Sequence, residues 1–186
     1  DINGLIASEK WGLSEEDIAD FFPGFYSGDV FPQYDGARLG FPPNRSMEVM
    51  YYNADWLAEL KAAGAISFDG PPTTPEQFKE AACAATANPF SGASTDTPAI
   101  GYQLSMDASR FASWTFAHGG DIFDAPNNTY TLDSEGAVAA ITFLKDLFDN
   151  GCAGEIFENF GDQTNFGNGA TLFTVGSSSG LPFSGT

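Results

Sequence analysis

The sequence predicts an α/β chain, and three stretches carry that prediction. Residues 47–52 alternate Met47, Val49 and Tyr51 with Glu48, Met50 and Tyr52. That period of two, mostly apolar on both faces, suits a strand buried on both sides of a sheet. A helix follows at once, because Asn53 can cap it and Trp56, Leu57, Leu60 and Ala63 form an apolar stripe that stops at Gly64. Later, residues 137–151 repeat apolar residues at helical spacing and residues 170–175 form a second apolar strand.

Composition bounds the rest. In 186 residues, 42% are apolar and 15% aromatic, enough for a packed core rather than a disordered tail. Against 25 Asp and Glu stand only 7 Lys and Arg, a formal charge of −18 that would repel a phosphate backbone or an anionic membrane. Nucleic acid is therefore excluded as a partner, and the charge reads as a solvated acidic surface. No apolar run approaches the ~18 residues of a membrane span, and no basic-then-apolar leader opens the chain. The chain starts at Asp1 and closes on GSSSGLPFSGT, which belongs to no periodic element, so it reads as a piece cut from a longer protein; if that protein is exported, its leader has already gone.

In chain order, Ser14 caps a short helix with Asp17 three residues on and turns Ile18 and Phe21 inward. Pro23, Gly24, Gly28, Pro32 and Gly36 break the next stretch into turns, and Pro42-Pro43 form a stiff approach to the first strand. After Pro71-Pro72, Thr74 caps a second helix with Pro75 in its first position and Gln77 placed to close a capping box. A polar loop over 88–101 leads to a strand around 99–104. Asp107 then caps a helix whose stripe Phe111, Trp114, Thr115 and His118 faces the core and ends at Gly119-Gly120. His118, the single histidine, belongs at that helix end as a hydrogen-bonded side chain rather than a catalytic one.

Asp121, Asp124, Asn127, Asn128 and Asp133 do not follow the calcium-loop order and predict an Asx-rich turn. Asp133 caps the longest helix, with Ala137, Ile141, Leu144 and Phe148 as its stripe, widened by Ala140, Phe143 and Leu147, and Gly151 as its end.

One motif points to catalysis. Gly176-Ser177-Ser178-Ser179-Gly180 fits the nucleophile-elbow pattern G-x-S-x-G after a strand. An elbow leads into a helix, which Leu181-Pro182 does not predict, and its histidine follows the serine, whereas His118 precedes it. A secreted hydrolase acting on ester or carbohydrate remains the alternative function, the latter through a carboxylate pair that sequence cannot position. A non-catalytic adhesion module is a third class, but no repeats support it. No HExxH, P-loop or GxGxxG is present, and neither catalytic residues, metal ligands nor a cofactor are predicted.

The ordered set Tyr52-Asn53, helix, Pro71 to Thr74, and the helix opening at Pro75 resembles the family 1 extracellular solute-binding proteins of ABC importers, the maltose-binding-protein-like group. Further matches are Phe22-Pro23-Gly24, Tyr34-Asp35-Gly36, Gly119-Gly120-Asp121-Ile122, the run AVAAITFLKDLFDNG ending at Gly151, and Phe166 to Gly169. The resemblance spans residues 20–180. It implies a type II periplasmic-binding-protein fold represented mostly by one lobe, a mixed sheet flanked by helices, in an incomplete chain. Residues 1–43 would be a distal first-lobe segment crossing to the hinge, and 44–186 a truncated second lobe.

The function implied is capture, without chemistry, of a sugar or other polar small molecule between two lobes, and delivery to the transmembrane subunits of an ABC permease. The parent protein would lie outside the cytoplasm, in the periplasm or on the cell surface, secreted or lipid-anchored. By position in the family, the ligand would meet Asn44, Arg45 and Ser46 at the hinge loop, Ser109, Arg110, Phe111 and Trp114 on one helix, and Ser177 and Ser178 on the last loop. An extracytoplasmic setting also favours a disulfide between Cys83 and Cys152 over two separate buried thiols. Closing a loop of about 70 residues would stabilise the fold by roughly 4 kcal/mol.

Overall fold

A computed structural model describes residues 1–42 and 44–184. Pro43, the second half of the predicted Pro-Pro approach, lies outside the described residues. Contacts divide the chain into two compact units, Asp1–Ser46 and Met47–Thr186.

The first unit is built of short elements: α1 (Asn3–Ile6), α2 (Glu15–Ala19), α3 (Pro23–Ser27), and the antiparallel pair β1 (Val30–Phe31) and β2 (Ala37–Arg38). The predicted cap of α2 forms reciprocally, with the Asp17 amide donating to Ser14 Oγ (3.1 Å) and the Ser14 amide to Asp17 Oδ2 (2.9 Å). Residues 23–27, expected as turns, are helical instead, because Pro23 occupies the first helical position, where its fixed φ helps and its missing N–H costs nothing. Asp35 and Gly36 turn the β1–β2 pair with φ of 54° and 73°. Arg38 is buried, its guanidinium 4.1 Å from the Tyr26 ring centroid and its Nη1 donating to the Tyr26 carbonyl (2.6 Å). Arg45 pairs with Asp29.

The second unit contains β3 (Glu48–Tyr52), α4 (Ala54–Ala62), α5 (Pro75–Ala87), β4 (Ile100–Ser105), α6 (Ala108–Ala117), a hairpin of β5 (Phe123–Asp124) and β6 (Thr129–Tyr130), α7 (Glu135–Asp149), β7 (Ala153–Ile156), α8 (Gly161–Gly167), β8 (Thr171–Ser177), a 3-10 turn (Ser178–Gly180) and α9 (Leu181–Ser184). Its sheet has the order β3-β8-β4-β7, with β8, β4 and β7 parallel and β3 antiparallel to β8. This is the mixed sheet flanked by helices that the family resemblance implied. One face carries Tyr102 and Phe173, whose rings meet Phe78 of α5 at 5.5 and 4.6 Å. On the other, α8 covers Gln103 and Thr174: Asn165 donates to Gln103 Oε1 (3.0 Å) and Thr174 to the buried carboxylate of Asp162 (3.0 Å).

Several local expectations change. Among the described residues β3 is an edge strand of the sheet rather than one buried on both sides, and Met50 and Tyr52 stay partly exposed on it. Gln77 does not close the capping box. The Gln77 amide donates to Thr74 Oγ1 (3.3 Å), but its side-chain oxygen accepts from the amide and hydroxyl of Thr73. Ser134, not Asp133, caps α7 by accepting from the Ala137 amide. The buried face of α7 is Ala137, Ala140, Leu144 and Leu147, rotated from the expected stripe so that Ile141 is 50% exposed. β7 and α8 have no counterpart in the sequence reading.

Cys83 of α5 is bonded to Cys152 at the mouth of β7. Its neighbour Ala82 lies against Gly101 of β4, where an added Cβ would overlap the Ala82 backbone. Gly101 is required there because only hydrogen fits between helix and strand.

Candidate ligand site at the carboxyl end of the sheet

In open α/β sheets the carboxyl ends of parallel strands form the crevice where ligands bind, because backbone and loop groups converge there without closing the space. Here β4 ends at Ser105, β7 at Ile156 and β8 at Ser177. The antiparallel β3 starts at the same end, Glu48 pairing with Ser177. The first turn of α6 brings its polar groups to this edge. Asp107 caps the helix, its Oδ1 accepting from the Ser109 amide (2.7 Å) and lying 2.6 Å from Ser109 Oγ. Those bonds, the hydroxyl's first, hold the Asp107 carboxyl below its ordinary pKa.

Arg110 reaches from α6 to Glu48 on β3, where Nη1 pairs with Oε2, and the same nitrogen lies 3.2 Å from Ser109 Oγ. Ser109 Oγ is also 3.2 Å from Glu48 Oε1. A hydroxyl has one proton, and the shorter distance directs it to Asp107, so Ser109 accepts from Arg110. Arg110 Nε is buried without a partner in the protein. Tyr51 donates to the Ser177 carbonyl (2.7 Å), and its pKa is raised by burial first and by the Glu48 carboxylate second. On the next loop the Met47 amide donates to Ser178 Oγ (3.2 Å), while Ser177 and Ser179 hydroxyls lie 2.8 Å apart.

The expected site residues therefore separate into groups. Ser109, Arg110, Ser177 and Ser178 meet at one edge of the second unit. Trp114 points into the core: its Nε1 donates to Tyr102 (3.1 Å) and its ring packs against Phe78 and Phe143, leaving one side to a groove of about 240 Å³ with Glu48, Met50 and Val175. Phe111 is half-buried on the same helix. Asn44, Arg45 and Ser46 belong to the first unit, exposed, with Arg45 engaged by Asp29.

The sequence reading missed Glu48 and the aromatic residues that follow β7. Phe157 is 80% and Phe160 71% exposed, and Phe160 with Gln163, Thr164 and Phe183 lines a hollow of about 350 Å³. A lone carboxylate in an otherwise apolar strand was the available signal for Glu48. The rings were hidden because β7 itself was unrecognised.

The serine loop does run into helix, through the 3-10 turn and α9, contrary to expectation. The histidine an elbow would need is engaged elsewhere: His118 caps α6 with Nδ1 2.8 Å from the Trp114 carbonyl and its ring beside Phe143. Among the described residues no cluster of three or more His, Cys, Asp or Glu could hold a metal ion, and no helix is long and apolar enough to cross a membrane.

A family model for bacterial extracellular solute-binding proteins matches residues 2–183. The chain belongs to that family. Among solved structures, the GacH receptor of Streptomyces glaucescens GLA.O, solved unliganded and with acarbose, superposes with a TM-score of 0.73 at 22% identity, over 97% of this chain and 41% of its own. UgpB from Mycobacterium tuberculosis, in complex with glycerophosphocholine, gives 0.68 at 22%, covering 89% and 38%. An ABC transporter solute-binding protein from Agrobacterium radiobacter K84, in complex with ribitol, gives 0.66 at 25%, covering 89% and 39%. The chain thus spans about two fifths of the length of these solute-binding proteins. No match was found among curated proteins.

Proposed function

We propose that this chain is most of the second lobe, with residues 1–43 from the distal first lobe, of an importer's solute-binding protein that captures a sugar or sugar-like solute. The carrying observation is the convergence of Glu48, Ser109, Arg110 and the serine loop at the carboxyl end of the sheet, the end at which β7 also leads into the exposed Phe157 and Phe160. Hydroxyl-rich solutes need paired donors and acceptors at their edges and an aromatic surface for their C–H faces, and both kinds of group are available there. Family membership and the acarbose and ribitol complexes of its structural relatives support the same reading.

In this reading Ser109, Arg110, Ser177 and Ser178 bind hydroxyls, Phe157 and Phe160 supply the stacking surface, and Phe111 and Trp114 hold α6 in place. Within the first unit, Arg45 is held by Asp29. The protein acts outside the cytoplasm, carries out no covalent chemistry, and passes its solute to the membrane subunits of an ABC importer as the lobes close.

The test is thermal unfolding of the full-length parent against sugars, polyols, amino acids and peptides, with products followed by mass. A ligand at about 100 times its dissociation constant adds ~2.7 kcal/mol. Stabilisation by one sugar or polyol class without turnover is the expected result. Turnover, or no stabilisation across the panel, overturns the reading.

A further inference from the structure

The electrostatics of this edge specify which solutes it accepts. Of the seven Lys and Arg in the sequence, four lie in the second unit: Lys61, Lys79, Arg110 and Lys145. Three are engaged elsewhere. Lys61 donates to the Ser67 carbonyl (2.8 Å), Lys79 pairs with Asp146 and Lys145 with Asp149. Arg110 is therefore the cation this lobe has for a phosphate or carboxylate, and a fixed guanidinium is the group best suited to hold one. Its charge already faces Glu48, with side-chain exposures of 15% and 23%, so the pair is largely shielded from water. Asp107 adds a second carboxylate on the same turn, and Glu158 follows in the loop after β7. Glu48 and Asp107 carry two negative charges against one positive charge on Arg110.

We propose that Glu48 is a specificity determinant: by pairing with Arg110 it closes this lobe's cation to anions, so the site takes uncharged or cationic hydroxyl-bearing solutes and refuses phosphorylated or carboxylated ones. The proposal rests on solute capture at the carboxyl end of the sheet. Arg110 then offers hydroxyls its remaining N–H groups without presenting a net positive charge. An anionic solute would have to displace Glu48 and leave that carboxylate unpaired beside Asp107, which costs more than the new pair returns.

Inorganic phosphate is the probe, titrated into the full-length protein at constant ionic strength and followed by calorimetry and melting temperature. Wild type should show no saturable phosphate binding at this site. Glu48→Gln keeps the shape and removes the charge, so it should bind phosphate with affinity raised about tenfold or more. The double variant Glu48→Gln with Arg110→Gln should lose that gain. A Glu48→Gln protein that folds and gains no phosphate binding overturns the proposal. So does wild-type phosphate binding that disappears in Arg110→Gln, a measurement that does not depend on the Glu48 variant folding. The solute panel keeps the two readings apart: a sugar that stabilises wild type, with no phosphate gain in the variant, defeats this proposal and leaves solute capture standing. A phosphate gain with no solute found defeats solute capture and, with it, the claim about which solutes are accepted, and leaves only the closing of Arg110 to anions by Glu48 standing.

Discussion

Reducing the Cys83–Cys152 bond should remove about 4 kcal/mol of stability, because the two cysteines are 69 residues apart and the cross-link mainly restricts the unfolded chain. Reduction keeps both sulfur atoms in place, so it isolates the cross-link from packing, which a double alanine variant would not. In urea, at a slope of about 2 kcal/mol per molar, the midpoint should fall by about 2 M between oxidised and reduced protein. Kinetics separate the cause. If the bond acts on the unfolded ensemble, refolding slows on reduction while unfolding changes little. A midpoint shift below about 0.5 M, or a loss expressed wholly as faster unfolding, would refute the reasoning.

The remaining predictions concern packing and protonation. Gly101→Ala should cost about 3 kcal/mol, since the new methyl meets the Ala82 backbone and no side chain can move aside; a chemical-denaturation shift under a third of that would mean the helix yields. Leu144→Ala should cost about 2–5 kcal/mol and Ile141→Ala about 1 or less, and the reverse order would restore the stripe read from sequence. Burial pushes the Tyr102 pKa from its ordinary 10.0 up to about 12. The unfolded chain therefore loses this proton first, so the contribution is complete below pH 10 and disappears as pH rises to 12. Tyr102→Phe should flatten stability across that window while costing about 1–3 kcal/mol at neutral pH, because Trp114 Nε1 loses its acceptor.

Much of the architecture was readable because it depends on local chemistry. Ser14, Asn53, Thr74 and Asp107 all cap where expected, since a side-chain oxygen needs only the amides of the next turn. Gly64, Gly119 and Gly151 end their helices with positive φ. What escaped depends on neighbours distant in sequence. β7 is four residues long with Gly154 and Glu155 in its middle, and only its pairing with β4 makes it a strand. α8 carries Asp162 and Asn165, whose burial is satisfied by Thr174 and Gln103 from other elements. The site divides in the same way. Ser109 and Arg110 stood out through their helix cap and their position in the family. Glu48 became visible only when β3 was found beside α6, with Glu48 and Ser109 61 positions apart in the sequence.

Two successive residues of α5 fasten two neighbouring strands: Ala82 against Gly101 of β4 by contact, and Cys83 to Cys152 beside β7 covalently. The strands are themselves joined there, the Tyr102 amide donating to the Cys152 carbonyl (3.1 Å). A helix held at consecutive positions, which point about 100° apart around its axis, can neither slide nor roll. The half of the second unit built on α5, β4 and β7 is therefore fastened as a bolted plate. The parts those fastenings do not reach are the serine loop after β8, the phenylalanine loop after β7, and the edge strand that begins at Glu48.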